Sequence, residues 1–152
     1  MSLATSIQSH LDQLAQTLNT GKITLSSHGD CALQVNGITV IFQLEQKANA
    51  LQLIAPVGEL GEGDYQDLAT ALLQANLSWE DTRGCSLALD GEAETIILST
   101  WIKPEHLDFP EFHNALELFI CLALSWKKNL PSLFTTPASA NNACPAETFI
   151  LV

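Results

Sequence analysis

The chain has 152 residues and a mass of 16.5 kDa, enough for one ordinary domain that folds without a metal or disulfide. Apolar residues make up 47% and charged residues only 15%, which excludes a disordered chain and points to apolar surface left for a partner. A net charge of −11 repels phosphate backbones and anionic lipid, so nucleic acid and membrane surfaces are poor candidates as partners.

Residues 3–20 read as an amphipathic helix. Leu3, Ile7, Leu11, Leu14 and Leu18 fall within ~80° of one another at 100° per residue, and Asp12 lies opposite. Gly21 is placed to end it. The opening MSLATSIQSHLDQL has neither a basic n-region nor an apolar h-region, and no stretch reaches the ~18 apolar residues of a membrane span. The expectation is a cytoplasmic protein.

CALQV and ITVIFQL flank Asn36-Gly37, a strong signal for a two-residue hairpin. Pairing Val35 with Ile38 sets Leu33 against Val40 and Cys31 against Phe42, which gathers apolar residues on one face. Leu51, Leu53 and Ala55 continue the alternation in a third strand. The loop APVGELGEG leads to Asp64 as N-cap of a helix from Tyr65 to Trp79. Tyr65, Leu68, Leu72, Ala75 and Trp79 make its stripe, and Leu73 and Leu77 extend it round a flank. A helix this widely apolar buries two surfaces. Cys85, Leu87 and Leu89 alternate in a fourth strand, and residues 95–102 make a fifth after an acidic turn.

The final helix starts near Phe109-Pro110, runs to Leu130 as the central core helix, and is stopped by Pro131. Residues 131–152, rich in Pro, Ala, Asn, Ser and Thr, read as a flexible tail with an apolar end, Phe149 to Val152. The order α-β-β-β-α-β-β-α makes a single α+β domain over residues 1–130, a twisted antiparallel sheet packed by helices.

Nothing in the chain has the spacing of an enzyme site. His10, His28, His106 and His113 sit in no catalytic motif, and His113 with Glu117 reads as a solvated pair one helical turn apart. GELGEG lacks the Lys-Ser/Thr of a phosphate loop, and Glu59, Glu62 and Asp64 would repel a phosphate. Cys31, Cys85, Cys121 and Cys144 have no metal-ligand spacing, and the first three read as small buried hydrophobes of a reducing compartment. No catalytic residue, metal or cofactor is expected. Trp79, Trp101 and Trp126, with helices apolar on more than one side, exceed the needs of one small core. That surplus predicts a homodimer centred on helix 65–79 and the strand after it, through Leu68, Leu72, Ala75, Asn76, Trp79, Leu87 and Leu89.

The element order and the phrases LQLIAPVGEL, DLATALLQANLSWED, CSLALDG and LELFICLALSWKKNL resemble the class I type III secretion chaperones, the Tir chaperone family. Leu72, Leu73, Ala75, Asn76 and Trp79 match that family's helix end, and Ala55, Val57 and Gly58 its third strand. The resemblance spans residues 3–130. It implies a bacterial cytoplasmic homodimer that holds the N-terminal segment of a secreted effector extended and delivers it to the secretion ATPase, with no catalysis of its own. For such a partner the expected surface is Leu3, Ile7 and Leu11 on the first helix with Leu33, Val35 and Ile38 on the hairpin. Two other readings stand beside it, the first using the same apolar surface and the second requiring a pocket of convergent polar groups for which the sequence offers no candidates. One is a regulatory member that sequesters another secretion regulator, and the other is a small-molecule-binding α+β domain.

Overall fold

The computed structural model describes residues 2–61 and 65–133. The expected Asp64 cap and the expected tail over residues 134–152 therefore lie outside the described residues.

Helix α1 spans Leu3–Thr17, capped by the Ser2 hydroxyl, which accepts the Thr5 N–H at 3.3 Å. It ends a turn earlier than expected. Asn19, not Gly21, takes the left-handed conformation, at φ 49°. Strands β1 (Asp30–Val35) and β2 (Ile38–Glu45) pair in the expected register, Val35 with Ile38, Leu33 with Val40 and Cys31 with Phe42. Asn36 and Gly37 both have positive φ, 51° and 76°, as a type I′ turn requires. Strand β3 spans Ala50–Glu59 and shifts register between Pro56 and Gly58, where a proline cannot donate to the ladder.

Helix α2 (Tyr65–Leu77) stops at Ser78, and Trp79 begins a separate short helix, α3 (Trp79–Thr82). Strands β4 (Ser86–Asp90) and β5 (Thr95–Ile102) form the second hairpin. Helix α4 spans Phe109–Leu133. Its start is a reciprocal cap. Asp108 Oδ1 accepts the Glu111 N–H at 2.9 Å, and Glu111 Oε2 accepts the Asp108 N–H at 3.0 Å. Pro131 does not end this helix. Standing two residues before its last residue, it forfeits only the bond to the carbonyl one turn back.

The five-stranded sheet runs β1-β2-β3-β5-β4, so β5 inserts between β3 and β4, and β1 and β4 are the edges. One face carries Leu33, Val35, Val40, Phe42, Leu51, Leu53, Leu98 and Ile96 into a single core with α1 and α4. Packing there is close. A Cβ on Gly58 would lie 2.7 Å from Leu130 of α4, so α4 seats directly on the β3 backbone. Lys127 Nζ donates to the Gly37 carbonyl at 2.7 Å, which sets the far end of α4 over the β1–β2 turn. Leu118, expected to be core, faces solvent.

Candidate partner-binding surfaces

The apolar stripe of α1 is spent inside the chain. Ile7, Leu11 and Leu14 are fully buried, and Leu3 and Leu18 at the two ends are partly accessible. Leu33, Val35 and Ile38 are buried in the same core. The burial of Ile7, Leu11, Leu33, Val35 and Ile38 corrects the expected partner surface. Periodicity identifies a face that must be covered, and here α4 and the sheet of the same chain cover it.

What β1 offers is its edge. In a two-residue hairpin the residues flanking the turn bond one another, so Val35, Leu33 and Cys31 point their backbone groups at β2. The Leu44 N–H donating to Gly29 O at 2.8 Å continues that odd-numbered series. Ala32 and Gln34 therefore direct their N–H and C=O outward, and neither forms a further hydrogen bond among the described residues. Asp30 also points outward, but its carbonyl accepts the Ser26 N–H at 2.8 Å. Against this edge lies an open slot of about 380 Å³, between residues 20–24 and residues 31–34. Gln8 fixes the far wall, donating to the Ile23 carbonyl at 2.8 Å and accepting the Leu25 N–H at 3.2 Å. On the outer sheet face Ala32, Ile41 and Ile54 stand in register from the edge inward, partly or fully accessible.

The Cys31 thiol lines this slot and is free. Burial, and secondarily the Asp30 carboxylate, push it up to about 11, so it stays protonated near neutrality. Burial also raises the Cys85 thiol, against a hydrogen bond with Thr100. Cys121 is disulfide-bonded, a correction to its reading as a small buried hydrophobe.

A second surface lies on α2, α3 and β4. Of the residues expected at a dimer contact, Leu68, Leu72, Ala75 and Leu87 are buried in this chain's own core. Trp79 and Leu89 remain exposed, Trp79 at 70%. The accessible apolar face is the flank of α2, with Leu73 at 70% and Leu77 at 91% exposure. Trp79 is held in place from below. Gly84, at φ 84°, leaves room for its ring, which a Cβ there would approach to 2.7 Å. Trp126 Nε1 of α4 donates to the Asp81 carbonyl at 3.0 Å and ties α3 down. Asn76 lies on the same helix and faces β4. Its Nδ2 donates to the Leu87 carbonyl at 2.9 Å, and its Oδ1 accepts the Leu87 N–H at 2.8 Å.

His10 is buried between α1 and α4, stacked on Phe112 at 4.9 Å, with no hydrogen-bond partner for either nitrogen among the described residues. His113 Nδ1 lies 3.9 Å from Glu117 Oε2, the i,i+4 contact expected. Among the described residues no group of three or more His, Cys, Asp or Glu side chains could hold a metal ion. None of the helices described is long and apolar enough to cross a membrane.

An edge-exposed antiparallel sheet backed by two long helices, with apolar surface outside the core, defines a protein-binding α+β module. Residues 9–127 match the model of the Tir chaperone protein (CesT) family, and the chain belongs to that family. No curated protein matches it by sequence. Among solved structures, it resembles that of the ExsC-ExsE complex with a TM-score of 0.73 at 21% identity, over 84% of this chain and 96% of that one. It also resembles the HopA1-SchA chaperone-effector complex, with TM-score 0.67, 18% identity and coverages of 81% and 94%. The Yersinia Pestis type III secretion chaperone SycH, solved with a fragment of YscM2, gives 0.60 at 17% identity over 78% and 98%. At these identities the likeness is one of fold.

Proposed function

We propose that this chain is a cytoplasmic type III secretion chaperone that binds the N-terminal segment of a secreted effector in extended form, catalysing no reaction itself. The observation that carries the reading is the open β1 edge. Ala32 and Gln34 present backbone groups with no partner among the described residues beside an open slot of mixed polar and apolar lining, the arrangement by which an extended segment adds to a sheet. The solved structures it resembles include a chaperone-effector complex. Held this way, the segment stays soluble and extended for handover to the secretion ATPase. Two such chains pair through the flank of α2 with Trp79 and Leu89, and residues 1–130 form the working domain.

The test is co-expression with candidate secreted proteins, pull-down and limited proteolysis, with Cys31 alkylation at raised pH, where its thiolate forms, as a reporter. A protected effector segment of tens of residues near its N-terminus, together with shielding of Cys31, is the expected result. Gln34→Pro removes one outward N–H and leaves the β1–β2 bonds in place, so affinity falls about tenfold. Unchanged affinity in that variant, with Cys31 still reactive in the complex, overturns the β1 assignment.

A further inference from the structure

The sheet has two edges, and they are not equivalent. On β4 both backbone groups of Leu87 bond to the Asn76 side chain and so face away from β5. Leu87 is thus a non-hydrogen-bonded partner of Leu98, and Cys85 and Leu89, two residues to either side, face outward as well. The outward N–H of Cys85 is also taken within the chain, donating to the Thr82 carbonyl at 2.8 Å. A carboxamide can present one N–H and its oxygen side by side, so Asn76 does for Leu87 what an adjoining strand would do.

We infer that Asn76 closes the β4 edge to strand addition, so that β1 is the edge left to receive an extended segment. The preference for β1 rests on the proposed function; the closure of β4 does not. The contrast is direct. Ala32 and Gln34 on β1 have no such substitute partner among the described residues, whereas on β4 the outward groups of Leu87 are occupied by the chain's own side chain. An edge left open on a five-residue strand beside exposed Leu73 and Leu77 would invite pairing with a second β4. Asn76 is therefore a specificity-determining residue that acts by exclusion.

The test uses the whole chain alone, with a second copy as the probe, and so its failure is separate from failure of effector binding at β1. In Asn76→Ala, hydrogen exchange at the Leu87 amide accelerates about tenfold while the β3–β5 amides keep wild-type protection. Sedimentation velocity then shows a concentration-dependent rise in mass over wild type, whatever the wild-type oligomer. Adding Leu89→Pro removes an outward N–H without touching the β4–β5 bonds, and it returns the mass to that of the Leu89→Pro single variant. An Asn76→Ala mass equal to wild type overturns the inference, and so does a rise that Leu89→Pro fails to reverse. Asn76→Asp, which keeps an acceptor for the Leu87 N–H but sets a charged oxygen against the Leu87 carbonyl, gives the same comparison should the alanine variant melt too low to measure.

Discussion

Leu77→Asp is the sharpest probe of the proposed pairing of two chains. Leu77 is 91% exposed and Leu73 and Trp79 are each 70% exposed, so none of the three contributes much to the fold of a single chain. Burying a Leu fully is worth roughly 2 kcal/mol, and a two-fold interface counts each residue twice. Losing nine-tenths of that burial on both sides removes about 3.5 kcal/mol, or a several-hundred-fold rise in the dimer dissociation constant. Analytical ultracentrifugation from 0.1 to 100 μM should show dimer for wild type and mostly monomer for Leu77→Asp, with circular dichroism and Tm unchanged. Leu72→Glu, one turn away but buried at 3% exposure, is the contrasting variant. An uncompensated charge there costs several kcal/mol of folding stability and should appear as lost melting cooperativity. The reasoning fails if Leu77→Asp keeps wild-type mass across that range, or if wild type itself sediments as a monomer at micromolar concentration.

Ile7→Asp should unfold the chain or lower Tm by more than 10 °C, while Leu3→Asp should change it little; thermal melts followed by circular dichroism separate the two. His10→Phe removes two buried nitrogens without partners and keeps an aromatic ring on Phe112, so stability should rise by about 1 kcal/mol, read as ~2–4 °C in Tm. Cys31 ionises near 9 when unfolded and about 11 when folded, so its contribution to stability is complete below pH 9 and is lost as pH rises through 11. Denaturant midpoints should fall across that window in wild type and fall less in Cys31→Ala. Deleting residues 146–152, which keeps all four cysteines, should leave Tm unchanged, and an effector affinity that rises on deletion would show that this stretch competes for the binding surface.

The hairpin was fully legible because Asn36-Gly37 fixes the loop at two residues, after which alternation leaves one register that collects Val35, Leu33 and Cys31 on a single face. The limits of β5 were legible for a similar reason, an acidic turn on one side and a proline shortly after the other. The partner surface was not. A stripe at helical spacing looks the same whether its cover is another chain or α4, and Ile7 and Leu11 went to α4. The flank of α2 was visible as excess apolarity, but Leu68 and Leu72 could be told from Leu73 and Leu77 only once α2 was laid against β4. Edge status depends on β5 inserting between β3 and β4, a long-range pairing that leaves no mark in local pattern. Asn76 was singled out as part of a matched phrase, and its two bonds to Leu87 supply the physical content that phrase lacked.

The bond from the Leu60 N–H to the Glu94 carbonyl, 2.7 Å long, extends the β3–β5 ladder by one rung. Everything from α2 to β4 thus lies between the two ends of one rung, returning to the sheet as its far edge strand and carrying Leu73, Leu77, Trp79 and Asn76 with it. The β1 edge and its slot belong wholly to the chain before that rung. The two surfaces are therefore separable modules. Exchanging residues 61–93 between relatives should transplant the choice of sister subunit without altering the choice of cargo, and each surface is free to drift under its own selection.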